Sequence, residues 1–255
     1  MKNISIISGV GIKILFISAL TLFTLLPAGL LTASPEKVVV SAFSSEDAGK
    51  KPSGWNFLFL PRIQRHTYYA VHEEGGRYVL KAVSKRSASG LYREIDLDPS
   101  EFRVFSWRWK VEDVIKRGNA RIKEGDDFAA RVYVTFAYEP EKASLFEKAQ
   151  YRLLKALYKV PPPGNALNYV WANRLEKGEA VVNPYTSRSI MIAVESGPGS
   201  GGVWRREERN VYEDYVKFFH EKPPRISGVV VMTDSDNTGT SATGYYSDIF
   251  FKKTL

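Results

Sequence analysis

Val229 to Lys252 reads VVVMTDSDNTGTSATGYYSDIFFK. An apolar β-branched run stops at an acidic, Asn/Thr/Gly-rich turn and resumes as an aromatic strand, the pattern of two core strands joined by a polar connection. Asp234, Asp236, Asn237 and Asp248 are therefore expected near one another, as the first candidate for a site. Working outward, short alternating segments recur at Val38 to Phe43, Thr67 to Val71, Arg77 to Val83, Gly90 to Leu97, Phe102 to Val111, Phe128 to Tyr138, Ser189 to Val194, Ile226 to Met232 and Tyr245 to Phe251. With Gly75-Gly76 as a two-residue hairpin turn between His72 and Tyr78, they predict a mainly β fold, an antiparallel β-sandwich or jelly roll. No internal repeat or Pro/Ser-rich linker divides it, so residues 34–255 are expected to form one domain.

Met1 to Ala33 reads as an export signal: Lys2 and Lys13 precede the apolar run Ile14 to Leu26, and Pro27, Ala28, Gly29 and Ala33 follow. Leu31 occupies a position where leader peptidases favour a small residue, so an uncleaved anchor is the alternative. The expected location is periplasmic or secreted, or at the cell envelope if the leader is retained. Cysteine is absent, which excludes disulfides, lipidation of an amino-terminal Cys and a cysteine nucleophile. Stability must come from apolar burial, and aromatic residues make up 13% of the chain. Lys and Arg total 36 against 28 Asp and Glu; without Lys2 and Lys13 the balance is 34 to 28, or +6. That charge suits a solvated surface or anionic glycans and lipid head groups. Nucleic-acid binding has no supporting motif.

The period of two assigns Phe128, Ala130, Val132, Val134 and Phe136 to a core face. Asp127, Arg131 and Tyr133 fall on the opposite face, as lining for a polar groove. On a strand the adjacent Asp126 and Asp127 point to opposite sides, so only one carboxylate is expected in that groove. Asp127, Asp234 and Asp236 are the candidate catalytic carboxylates, and Asp234 and Asp236 in Asp-x-Asp-Asn also offer hard oxygen ligands to calcium, the one cofactor expected. Trp107 and Trp109 are expected in the core, whereas Tyr169, Trp171 and Trp204 lie in Gly- and Asn-rich surroundings as sugar-stacking candidates. Arg209, with Arg205 and Arg206, follows the Gly-rich loop Ser196 to Gly202 and adds a candidate anion contact. His66, His72 and His220 have no zinc spacing, and no Gly-x-Ser-x-Gly elbow is present.

Glu141 to Lys159 places Phe146, Ala149, Leu153, Leu157 and Val160 on one helical stripe, with Lys142, Lys148, Arg152, Lys155 and Lys159 elsewhere. An amphipathic helix is predicted there, closed by Pro161-Pro162-Pro163-Gly164, packing on the sheet or acting as a lid or membrane-surface contact. A shorter helix is predicted over Tyr212 to His220.

The strings SASGLYREIDLDP, WRWKV, GDDFAARVYVTF, LNYVW, NPYTSRSIMIAVESG, RNVYEDYVKFF, MTDSDNTG and YYSDI resemble, in order, a bacterial family known as domain of unknown function 3047, over roughly Trp55 to Phe251. The resemblance marks Asp126, Asp127, Arg131, Tyr169, Trp171, Tyr185, Arg188, Trp204, Arg209, Asp214, Asp234, Asp236, Asn237 and Asp248 as family-pattern positions. One departure is Phe219-His220, where it implies a Gly after Phe218. Tyr245 to Phe251 also resembles the last strand of galactose-binding-like modules, which implies saccharide binding. The expected function is capture of a saccharide or related polyhydroxylated ligand, an acidic glycan included, by Asp126 or Asp127, Arg131, Tyr133, Asp234, Asp236 and Asn237, with an aromatic platform and without turnover. Polysaccharide cleavage by paired carboxylates and an envelope scaffold are the alternatives.

Overall fold

The computed structural model describes residues 36–157, 162–198 and 202–253. The expected export signal at 1–33, the end of the expected helix beyond residue 157 and the middle of the 196–202 loop lie outside the described residues. Pro35–Leu255 forms one compact unit.

Two sheets face each other. The six-stranded sheet runs β11 (Arg205–Asn210), β6 (Val104–Val111), β13 (Ser241–Lys252), β4 (Arg77–Lys85) and β3 (Tyr68–Glu74), with β1 (Lys37–Val39) beside the far half of β13. The seven-stranded sheet runs β2 (Asn56–Leu58), β5 (Gly90–Leu97), β12 (Ile226–Met232), β7 (Arg131–Phe136), β8 (Ala166–Ala172), β10 (Thr186–Ser196) and β9 (Ala180–Asn183). Every pairing is antiparallel except β8 with β10, a parallel pair made because β9 intervenes in sequence and closes on the outer edge of β10. The mainly β sandwich read from the sequence is thus the fold, with one mixed sheet. Gly75 and Gly76 both take positive φ, 58° and 74°, and close the β3–β4 hairpin.

Alternation on β6 turns Phe105, Trp107, Trp109 and Val111 inward, all at 0% exposure. Trp107 meets Tyr169 of β8 at 5.2 Å between ring centroids, and Trp109 meets Trp171 at 5.7 Å. This seam spans the two sheets and is the centre of the core. At one end Thr233 donates to the Ala129 carbonyl at 2.9 Å, and the Tyr246 hydroxyl donates to the Met232 carbonyl at 2.6 Å. The second of these bonds ties β13 to the neighbouring sheet.

Four strands were not legible as such. β8 is buried at every residue and so lacks alternation, β11 reads RREERN, and β2 and β9 are three and four residues long. β7 begins at Arg131 rather than Phe128, and the irregular chain before it sends Phe128 into a second apolar cluster on the opposite face from Val132 and Val134.

Between β7 and β8 lies α1 (Leu145–Leu157). Ser144 and Glu147 cap it reciprocally: the Ser144 N–H donates to the Glu147 carboxylate at 2.8 Å and the Glu147 N–H to the Ser144 hydroxyl at 3.2 Å. Packing of its apolar stripe on the sheet does not occur, since no residue of α1 is buried. α2 (Val211–Phe219) is capped by the Asn210 side chain and ends at His220, φ 59°, the left-handed position that a Gly would take at little cost. Among the described residues no helix is long and apolar enough to cross a membrane.

Close approach of the sheets makes one position intolerant of any side chain. A Cβ on Gly244 of β13 would sit 2.3 Å from the Ala129 carbonyl oxygen and 2.8 Å from the Thr233 hydroxyl. Gly244→Ala is expected to lower unfolding stability by about 2 kcal/mol or more, read from urea melts, because the obstructing atom is backbone and cannot swing away.

Candidate functional site

The polar residues read from the sequence separate into three places. The first lies where β12 and β7 end side by side, with Met232 opposite Arg131. Here Arg131 Nη1 donates to Asp126 Oδ1 at 3.0 Å and Nη2 donates to Asp234 Oδ2. Asp127 accepts from the Thr238 N–H at 2.6 Å and the Asn237 N–H at 3.3 Å, and Asp234 also accepts from the Phe128 N–H at 3.3 Å. Asp127, Arg131 and Asp234 are 1%, 3% and 1% exposed. Sheet pairing thus gathers these residues, as expected, but into a buried knot instead of an open groove. The expectation that Asp126 and Asp127 diverge is also corrected: both precede β7 in irregular chain, so the strand period does not govern them.

Electrostatics follow from that burial. Removal from water pushes the Asp234 carboxyl well above the usual range, against the pull of Arg131. Burial likewise raises Asp126, again opposed by Arg131, and raises Asp236, with Asp127 beside it adding to the effect. Burial also raises the Tyr133 phenol. Asp127, Asp234 and Asp236 each present an atom within 4.8 Å of the others, a spacing that one cation would bridge. Yet the backbone and Arg131 already donate to the first two, and the half-buried Asp236 is the most open of the three. Paired acid–base work on a polysaccharide needs two carboxylates that reach substrate, and of these three Asp127 and Asp234 are turned into the protein.

The second place is inside the sandwich. Tyr169 is fully buried and donates to Asp214 Oδ2 at 2.9 Å, while Arg209 holds Asp214 with Nε at 2.9 Å and Nη2 at 2.5 Å. Trp171 donates its Nε1–H to the Gly197 carbonyl at 3.1 Å. Neither ring is a sugar platform, because β8 is a central strand whose inward side chains form the aromatic seam.

The third place is the outer face of the six-stranded sheet, with Trp204 half-exposed under Arg108 and Lys110 at 5.2 and 5.4 Å. Asp248 lies on this sheet, pairing with Arg108 at 3.2 Å, and not with Asp234. The connection after β12 crosses to the other sheet, and seven residues of β13 then carry the chain about 23 Å from Ser241 to Asp248.

An open concavity occurs elsewhere, between α1 and the β9–β10 turn. It is a cleft of about 290 Å³ walled by Tyr138, Tyr151 and Tyr185, with Glu147, Gln150 and Arg188 among its polar lining. A second recess of about 160 Å³ shares Tyr138, Glu147 and Arg188. Tyr138 and Tyr151 stack in parallel at 3.8 Å, 8° between planes. Arg188 donates to Glu147 and, at 3.3 Å, to the Gly164 carbonyl. Asn237 donates its side-chain N–H to the Tyr185 hydroxyl at 2.9 Å and its backbone N–H to Asp127, so the buried knot positions one wall of the cleft. Tyr185 and Arg188 stand in the NPYTSR string; Tyr138, Gln150 and Tyr151 had no local signal, since only the chain reversal at α1 brings them together.

Glu207 was not singled out either. It is buried at the sheet edge, accepts from the Trp109 Nε1–H at 3.3 Å, and is pushed up to about 7 by burial and then by the Glu195 carboxylate.

A family profile described as "Protein of unknown function (DUF3047)" matches residues 53–250. No curated protein matches the chain in sequence. Among solved structures, the chain is similar to a family 11 carbohydrate-binding module of the cellulosomal cellulase Lic26A-Cel5E of Clostridium thermocellum, at TM-score 0.39 and 7% identity over 88% of this chain and 98% of that one. A family 11 module from Clostridium thermocellum in complex with a β-1,3-1,4-mixed-linked tetrasaccharide is similar at TM-score 0.36 and 10% identity, over 82% and 94%. An agarase, AgWH50C, is similar at TM-score 0.34 and 10% identity over 87% of this chain and 25% of that one.

Two measurements probe the buried charges. Arg131→Met leaves the Asp126 and Asp234 carboxyls without their cation and is expected to cost about 3–5 kcal/mol in urea melts, with Asp234→Asn in the same chain restoring part of it. The loss grows as pH rises, because these raised carboxyls are protonated more readily folded than unfolded. For Glu207 the same sign applies: the unfolded chain gives up this proton near the ordinary carboxyl range and the folded chain near 7. Melting temperature is therefore expected to fall between about pH 5 and 7 less in Glu207→Gln than in the parent.

Proposed function

This chain belongs to the family described as Protein of unknown function (DUF3047), and for this member we propose an exported β-sandwich that binds a saccharide or related polyhydroxylated ligand without turning it over. The observation that carries the proposal is the tyrosine-walled cleft beside α1, with its Arg188–Glu147 pair between two recesses. Planar rings give apolar area to the faces of sugar rings, and a guanidinium with a carboxylate gives charge-assisted bonds to hydroxyls as both acceptor and donor. Two recesses sharing one polar pair suit consecutive residues of an oligosaccharide. Their volumes lie below the roughly 300–1,000 Å³ of small-molecule sites, as fits a shallow cleft holding part of a chain.

Charge in the recesses favours a neutral glycan over an acidic one, since Glu139, Glu147 and Glu221 stand against Lys142 and Arg188. The apolar segment Ile14 to Leu26 after Lys2 and Lys13 supports export to the envelope or beyond. Absence of turnover is supported by the burial of Asp127 and Asp234, whose oxygens are bonded from within the protein.

Titration against a panel of neutral and acidic oligosaccharides tests this. Tyr151→Ala and Arg188→Ala are each expected to weaken binding about tenfold or more, while Trp204→Ala on the other sheet leaves it unchanged. No new reducing ends are expected on prolonged incubation. Silence across the panel, or loss of binding in Trp204→Ala alone, overturns the assignment of this cleft.

A further inference from the structure

α1 turns an apolar face to solvent. At about 100° per residue, Leu145, Phe146, Ala149, Leu153, Ala156 and Leu157 fall within one arc of about 120°. Leu145, Phe146, Leu153 and Leu157 are 86%, 78%, 61% and 58% exposed. The helix meets the body of the protein through a different arc, carrying Glu147, Gln150, Tyr151 and Leu154 into the cleft. Its remaining arc is basic: Lys148, Arg152 and Lys155. Glu147 is the only acidic residue of α1 and is held by Arg188. The three faces thus differ in chemistry, and the one rich in Leu and Phe is left open among the described residues.

We propose that α1 seats on an anionic lipid surface, with the Leu/Phe arc sunk to the boundary of head groups and acyl chains and Lys148, Arg152 and Lys155 on the head groups beside it. Charge complementarity selects this occupant. A helix whose apolar arc is bordered on its protein-facing side by the cleft residues and on its other side by cations alone matches the chemistry of an interfacial helix at acidic lipid, where each Lys or Arg near the surface adds attraction that salt screens. Exposed apolar area of this size is costly in water, and here it is carried by one excursion between β7 and β8. Seated this way, α1 presents the cleft along the membrane plane.

The test uses the compact unit Pro35–Leu255, which holds every strand of both sheets and the described core, so that the preceding apolar segment does not bind lipid by itself. Co-sedimentation is measured with vesicles of phosphatidylcholine alone and with one quarter phosphatidylglycerol. Binding to the acidic vesicles, weakened by salt and reduced about tenfold or more both in Phe146→Asp/Leu153→Asp and in Lys148→Glu/Arg152→Glu/Lys155→Glu, is the expected result. All five positions lie on the outside of the helix, and unchanged thermal melts verify that each variant is folded. No binding to acidic vesicles, or binding that the Phe146/Leu153 variant keeps, overturns the proposal. So does concentration-dependent self-association that the same variant abolishes without any lipid binding, which assigns the apolar arc to a second copy of this chain. The glycan titration is independent of this result, because neither variant alters a cleft-lining residue.

Discussion

Contact between the two sheets through Trp107 with Tyr169 and Trp109 with Trp171 is the constraint on which the rest of this molecule rests. A chain without cysteine has no covalent tie between its layers, so side-chain burial must hold them. Each aromatic pair of this kind adds about 0.5–1.5 kcal/mol beyond its area burial. The seam also decides what is left for function. Tyr169 and Trp171 belong to it, so the aromatic surface that can meet a ligand comes from other segments: Tyr138 at the end of β7, Tyr151 on α1 and Tyr185 in the β9–β10 turn.

Charge is distributed by a similar rule. A guanidinium buried at the start of β7 is tolerated because Asp126 and Asp234 accept from it, and Asp127 in turn accepts from the backbone of the loop after β12. The knot closes the polar connection between the two last core strands and, through Asn237, orients Tyr185. The knot thereby holds one wall of the cleft. Carboxylates and arginine in proximity are as much the chemistry of a strand-end lock as of a catalytic site, and burial separates the two.

Much of the architecture was legible. β5 and β12 have the bounds that alternation assigned, and Trp107 and Trp109 face inward as period two requires. β8 was not legible, since a strand buried on both faces shows no alternation, and neither was β11, whose RREERN edge lies on the sheet rim. Of the candidate site, the gathering of Asp127, Arg131, Asp234, Asp236 and Asn237 was expected from sheet pairing, but neither the presence of Asp126 beside them nor their burial was legible. Asp248 was misplaced because the polar connection hides a change of sheet.

Local pattern by itself determined the β class, the hairpin at Gly75-Gly76, the inward aromatic face of β6 and the amphipathic character of α1, since each depends only on the backbone period and on neighbours a few residues away. Which face of α1 meets the protein, which carboxylates are sealed from water and where tyrosines from three separate segments form a cleft were decided only by the tertiary structure. Those features arise from contacts between residues far apart in sequence, and a one-dimensional pattern carries no measure of what will lie across from a given side chain once two sheets close on each other.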